Sequence, residues 1–290
     1  MSQWTDILNG LCDHVTLLQE LGHKTVALDS EIFQALVLHP AKRSSHATPR
    51  APTTASTTTP HTTVISHSMT PRAVNVPMVF SPDSPARSPD ARRTALEELS
   101  ARMTVCDACP LCKERNHCVP GQGNFNTPDV MFIGEAPGAD EDREGVAFIG
   151  KAGQLLTRMI AAMGYTREEV FIANICKCRP PKNRVPTPEE CAVCLPFLRA
   201  QISIIRPKTI VLLGGTAIKA LLDTQSGVNR IQGQWTRYES IPVMPTFHPA
   251  YLLRFEPAKR DAWQALKRVL AYLGKPIPNQ VPPQKTTPQT

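Results

Sequence analysis

The sequence predicts an α/β protein, a three-layer α/β/α sandwich around a central four-stranded parallel sheet. Two observations predict it. From Arg93 onward, short apolar runs alternate with stretches whose apolar residues recur at helical spacing, and strands alternating with helices form a parallel sheet covered on both faces. The preceding residues break that pattern, because from about residue 40 to 92 Pro, Thr, Ser and Ala dominate and large apolar side chains are scarce. Such a stretch cannot bury enough surface to offset its ordering entropy.

The elements follow in order. Leu96, Leu99 and Met103 predict a helix over 94–103. Val130–Ile133 reads as the first strand, followed by a helix from Gly153 to Met163. Val170–Ile175 is the second strand, leading through a Pro-rich loop to a helix from Pro188 to Ile205. Thr209–Leu213 is the third, with a helix over 216–222, and Val243–Phe247 the fourth, with a last helix from Pro257 to Leu273. Reactive residues of such sheets gather in loops beyond the carboxyl ends of the strands. That rule brings together Gly134–Asp142, Asn174–Arg184 and His248–Arg254.

Four regions result: a helical segment over 1–39, a disordered linker over 40–92, a globular domain over 93–274 and a disordered tail over 275–290. The N-terminal segment carries apolar residues at helical spacing (Trp4, Ile7, Leu8, Leu11). It reads either as a docking module for a protein partner or as a helix packed on the main domain. Net charge is +7, and residues 1–92 hold seven basic and seven acidic side chains, so the whole excess lies in residues 93–290, most of it in the globular part. A basic domain points to a polyanion. No stretch is long and apolar enough for a membrane span, and Asp6 and Asp13 disrupt any signal-peptide pattern. Nine cysteines, an odd number without an export signal, point to thiols or metal ligands and a cytoplasmic location.

Cys106, Cys109 and Cys112 lie three apart; Cys176 and Cys178 flank Lys177; Cys191 and Cys194 form another Cys-x-x-Cys. Soft thiolates grouped this way select zinc or an iron–sulfur cluster. On spacing alone the symmetric set is Cys106, Cys109, Cys191 and Cys194 around zinc, while Cys12 and Cys118 read as small buried residues. Gly145 to Lys151 imitates a phosphate-binding loop, but Ala152 stands where the magnesium-binding hydroxyl belongs and no apolar strand precedes it. Nucleotide hydrolysis is excluded on that ground.

Gly134-Glu-Ala-Pro-Gly138 with Glu141-Asp142, then Phe148-Ile-Gly-Lys-Ala-Gly-Gln154, resembles the first motif of type-4 uracil-DNA glycosylases. Asn174-Ile-Cys-Lys-Cys-Arg-Pro-Pro181 with Asn183-Arg184 resembles that family's middle motif, and His248-Pro-Ala-Tyr-Leu-Leu-Arg254 its last. With Cys106-Asp-Ala-Cys109 the match runs in order over about residues 100–272.

The resemblance implies a uracil-DNA glycosylase-like fold and a monomer that flips uracil out of single- or double-stranded DNA, hydrolyses its N-glycosidic bond and so begins base excision repair. It implies a 4Fe–4S cluster on Cys106, Cys109, Cys178 and Cys194, replacing Cys191 of the spacing-only set. The uracil-binding residues would be Glu135, Ala136, Phe148, Asn174 and His248. Phe148 supplies a stacking face, Asn174 an amide for the base edge, and His248 a donor to O2 as charge grows there. Without the motifs, these would read as a core Phe, a turn Asn and a surface His. Glu135, Glu141 and His248 are the catalytic candidates, with Glu135 favoured and Asp140 behind Glu141. In better-known uracil glycosylases an Asp orients the water where this chain has Ala136, and a Tyr excludes thymine where it has Gly138. Both jobs therefore fall to other groups, Glu135 among them. Lys177, Arg179, Lys182, Arg184 and Arg254 are expected on the DNA backbone, and Leu252 or Leu253 could wedge into the gap left by the flipped base. A related group that becomes covalently trapped on DNA carries an extra His after the middle motif; none lies between His117 and His248. The remaining alternative is a non-catalytic iron–sulfur DNA-binding module.

Overall fold

The computed structural model describes residues 88–278. The N-terminal helical segment, the linker up to residue 87 and the tail beyond 278 lie outside the described residues. The first helix, α1 (Pro89–Thr104), begins five residues earlier than its apolar spacing predicts and takes in the last residues assigned to the linker. Its start follows from local chemistry: the Ser88 side chain accepts from the Ala91 N–H at 3.3 Å, with Pro89 in the first turn. Arg92, 4 % exposed, reaches across to donate to the Ile205 and Ile204 carbonyls at 2.7 and 3.3 Å. It thereby satisfies the end of the long helix described next.

Six strands form one mixed sheet in the order β1-β3-β2-β4-β6-β5. The four parallel members are the four the sequence predicts: β2 (Val130–Gly134), β3 (Phe171–Asn174), β4 (Thr209–Leu213) and β6 (Ile241–Thr246). Two short antiparallel strands, β1 (Gln122–Gly123) and β5 (Thr236–Tyr238), cap the edges and add to the expected architecture. They carry no periodic signal because two or three residues cannot alternate visibly. The helices are α2 (Ala139–Glu144), α3 (Lys151–Ala162), α4 (Pro188–Ile205), α5 (Gly215–Leu222), α6 (Val228–Ile231), α7 (Pro249–Arg254) and α8 (Ala258–Tyr272).

Alternation along each strand sorts the two cores. Met131, Ile133, Ile210 and Leu212 face Leu198 and Ile202 of α4 and Ile218 of α5. Phe132, Val211, Leu213 and Met244 face Leu156 and Ile160 of α3 and Leu266 and Val269 of α8. Both faces are covered, so the parallel strands read as continuous apolar runs. Helix α1 adds a satellite core through Leu99 and Met103 against Phe197 and Ile204 of α4. The register sets Gly134 opposite Asn174 and Leu213 opposite Thr246, which brings three loop starts to one edge.

Arg92 is the test of where the folded domain begins. Arg92→Met should lower unfolding stability by about 2 kcal/mol, as the loss of a charged donor to buried carbonyls does. A chain starting at residue 93 should show at least that loss against one starting at Ser88. Equal urea midpoints would show that the boundary at 93 is as good.

Candidate active site

After β2 the chain turns through Glu135–Gly138 and is clamped by Glu141. That carboxylate accepts from the Ile149 and Gly150 N–H groups at 2.9 Å and from Gly138 N–H at 3.0 Å. Both oxygens are therefore engaged, and the residue is only 8 % exposed. Glu141 thus shapes the loop with its oxygens engaged by backbone donors, and it also lines the cleft described below. Asp142 does similar work on the preceding segment, accepting from the Asn116 backbone and side chain.

Phe148 sits at φ +53°, a conformation that costs a bulky residue energy and needs external support. Arg167 donates to the carbonyls of Ala147 and Phe148 at 2.7 and 3.0 Å. Gly153 lets α3 press directly on the Phe148 backbone, where any Cβ would collide. The ring lies over Gly134, and its centroid is 5.7 Å from that of His248 at 37°.

Asn174 ends β3, 1 % exposed, and its Oδ1 is buried without a partner. A Cβ on Gly134 would stand 2.6 Å from that oxygen. Such an orphaned polar atom is costly unless something else completes it.

His248 follows β6 and caps α7. Its Nδ1 accepts the Ala250 N–H at 3.1 Å, which requires that nitrogen to be unprotonated and leaves the proton on Nε2. Burial, with help from Arg254, pulls the imidazole pKa down to about 4, so the ring is neutral at ordinary pH. Glu135 accepts from Thr216 Oγ1 of α5. Burial raises its carboxyl above the usual range and the Thr216 bond partly opposes that.

Glu135, Ala136, Phe148, Asn174 and His248 line one cleft of about 490 Å³, with Arg184 and Arg254 at its margin. A larger cleft of about 690 Å³ lies at the opposite end of the strands, around Arg206, Lys208 and Tyr272, and contains none of these groups. Volume alone therefore does not mark the site; the convergence of polar groups does.

The expected DNA-backbone residues divide. Lys177 is 2 % exposed and donates inward, so it is out of reach of any phosphate and that reading is corrected. Arg184 is exposed but forms a forked pair with Glu190 at 2.7 and 2.8 Å. Arg179 holds Asn183 at 2.7 Å, Lys182 is exposed at φ +54°, and Arg254 is exposed. Leu252 is core, whereas Leu253 is 41 % exposed beside exposed Tyr251 and Phe255. Sequence reasoning missed Thr216, Arg167 and these two aromatics; only the spacing of Tyr251 and Phe255 along one helix face hinted at them.

Cys106, Cys109, Cys112, Cys178 and Cys194 line one small cavity together with Arg115. Arg115 donates to Cys178 Sγ at 3.1 Å and the Lys177 N–H to Cys194 Sγ at 3.2 Å. The Cys178 thiol is drawn down to about 6 by its bond with Cys118 and by Arg115. Cys191 turns instead toward Cys176, Sγ to Sγ 3.9 Å, which removes the spacing-only zinc set. Among the described residues no group of three or more Cys, His, Asp or Glu side chains could hold a single metal ion.

Residues 120–267 match the model of the uracil DNA glycosylase superfamily. The chain is 46 % identical over 167 residues to a type-4 uracil-DNA glycosylase of Thermotoga maritima, covering 56 % of this chain and 85 % of that protein. It is 39 % identical over 198 residues to a type-4 uracil-DNA glycosylase of Pyrobaculum aerophilum, covering 66 % and 99 %. A third, from Archaeoglobus fulgidus, is 39 % identical over 193 residues, covering 63 % and 96 %.

The partly buried, neutral imidazole has a consequence for stability independent of any reaction. With the folded pKa near 4 and the ordinary value at 6.5, the unfolded chain binds more protons between those limits. His248 therefore costs stability as pH falls from 6.5 toward 4 and nothing above 6.5. The loss should reach the order of 2–3 kcal/mol. Urea midpoints at pH 4.5 and 7 should differ more for the parent than for His248→Ala; equal differences would show that the ring is not held neutral.

Proposed function

Since this chain belongs to the type-4 uracil-DNA glycosylases, we infer that it hydrolyses the bond between uracil and deoxyribose in DNA, in the cleft at the carboxyl edge of the sheet. The observation that carries the assignment to this cleft is the buried, partnerless Asn174 oxygen in a wall shared with Phe148 and a neutral His248.

Uracil must leave the base stack to be reached. Phe148, rigidly supported, gives its ring a face to stack on. The Asn174 amide offers a donor and an acceptor, which suit O4 and N3–H of uracil and mismatch cytosine. As the glycosidic bond breaks, its electron pair passes to the base and charge grows on O2. The Nε2–H of His248 is aimed by the Ala250 bond on the opposite ring nitrogen, and it donates to that oxygen without first taking a proton from solvent. Glu135, held by Thr216, faces the positive sugar and orients the water whose oxygen bonds to C1′, the water's proton passing through solvent to the departing uracil anion. Arg179, Lys182 and Arg254 supply phosphate contacts. Arg184 does so with its charge partly neutralised by Glu190. A module that only bound DNA would have no use for the unsatisfied Asn174 oxygen, so the catalytic reading is preferred.

The thiols fit a 4Fe–4S cluster on Cys106, Cys109, Cys178 and Cys194. They surround an apolar cavity instead of converging on a point, and donors from Arg115 and Lys177 face two of the sulfurs. When bound, the cluster acts as a cross-link between the end of α1, the loop after β3 and α4. We also propose a monomer working in the cytoplasm, with residues 1–39 docking a protein partner. None of the eight described cysteines is in a disulfide, which supports a reducing compartment, and no described helix is long and apolar enough to cross a membrane.

Removing one transition-state donor costs about 100- to 1000-fold in rate. His248→Ala should lose that much in single-turnover excision while binding uracil DNA as the parent does. Asn174→Asp should gain weak activity on cytosine. A His248→Ala protein defective only in binding would overturn the role given to the ring.

Anaerobically purified protein should be brown and contain iron with acid-labile sulfide. Cys178→Ala and Cys194→Ala should lose the colour and folded yield, and Cys191→Ala should keep most of both. Stoichiometric zinc without iron would overturn the cluster.

A further inference from the structure

A fully buried lysine, Lys177, sits between Cys176 and the proposed cluster ligand Cys178. Its ammonium donates to the main-chain carbonyl of Asn174 at 2.8 Å and to Gln201 Oε1 at 2.7 Å. Gln201 passes the connection on, donating to the Pro120 carbonyl at 2.8 Å, and the Lys177 carbonyl accepts from Val119 N–H at 2.8 Å. On its other side Lys177 lines the cysteine cavity and its N–H meets Cys194 Sγ. A lysine buried this deeply is fixed by its few partners, and here one of them is the main chain of a residue in the cleft.

We propose that Lys177 is a positioning residue that joins two sites: its main chain is held at the cysteine cavity through Cys194, and its side chain fixes the Asn174 backbone so that the Asn174 amide is set for the base edge. The inference rests on the cluster and the Asn174 roles proposed above. It accounts for why the residue lies within a basic loop yet is withdrawn from the surface, and it makes cluster retention and base reading one property instead of two.

The test compares full-length parent, Lys177→Met and Gln201→Leu, purified anaerobically, with Arg179→Gln as a surface control. Three quantities are read: single-turnover excision from a single-stranded uracil oligonucleotide, the salt dependence of binding to an unmodified duplex, and the reduction potential of the cluster. Lys177→Met should excise about 10- to 100-fold more slowly, as small misplacements of a binding group do. Its salt slope should equal the parent's, whereas Arg179→Gln should lose about one unit of slope. Its potential should move to a more negative value, because a positive charge near the sulfurs is gone. Gln201→Leu keeps the charge and loses one anchor, so its rate should fall with the potential unchanged. It carries the test if Lys177→Met does not fold. Parental rates in either folded variant, or a reduced salt slope in Lys177→Met, would overturn the proposal. An active parent without iron would overturn the cluster assignment and the link from Lys177 to it; a parent with iron but inactive on uracil would instead overturn the proposed reaction.

Discussion

Between the ring of Phe148 and the amide of Asn174 there is room at residue 134 for a hydrogen atom and nothing larger. The cleft depends on that missing side chain. Parallel pairing fixes Gly134 opposite Asn174, so the base-reading amide and the stacking ring meet over bare backbone. The ring is held there by a strained Phe148 backbone, which three separate groups stabilise: Arg167 on its carbonyls, Gly153 beneath it, and Glu141 on the two N–H groups that follow. Strain of this kind persists only where the surroundings over-determine it. Glu141 is thus as necessary to the site as a catalytic group would be, though its oxygens are fully used in building the loop.

Much of this was legible in the sequence. The four parallel strands were, because continuous apolar runs between helices have few other readings, and the three loops at their carboxyl ends followed from topology. Helix α1 shows the limit: Ser88-Pro89-Asp90 is a helix start written in the chain, but the Pro- and Ser-rich composition around it masks the signal. Strands β1 and β5 are too short to announce themselves. Among site residues, Phe148, Asn174 and His248 come together in the cleft as the motifs implied. The internal bonds of Glu141 and Lys177 are not legible in the chain for one reason. Charge in a loop suggests solvent or a ligand, and only coordinates reveal that a carboxylate is saturated by backbone donors or that an ammonium points inward.

Burial acts on both ionisable groups of the cleft, and in opposite directions. It raises the Glu135 carboxyl and lowers the His248 imidazole, in each case by disfavouring the charged form. The fold answers selectively. Thr216 donates to Glu135 and returns some stability to its anion, while Ala250 donates to His248 and stabilises the neutral ring. Burial is the larger cause in both, and the two hydrogen bonds modify it in opposite senses: one opposes the shift at Glu135, the other favours the neutral ring of His248.

That distinction bears on how the reaction is driven. A protonated imidazole would be the stronger donor to a departing base, yet holding it charged in this cleft would require a partner that the structure does not supply, since the nearest charge acting on it is the cation Arg254. A neutral ring costs less to bury and arrives already aimed, because its other nitrogen is fixed by the turn that starts α7. The gain then comes from geometry set before substrate binds and not from proton uptake during the reaction. A donor fixed in advance costs no reorganisation when the oxyanion develops, which is the advantage such a preset dipole has over solvent. The same reasoning applies to the Asn174 oxygen, whose missing partner is tolerated in the empty cleft because a base edge can provide it. Both groups hold part of the cost of recognition in the folded state, and binding of the correct base recovers it.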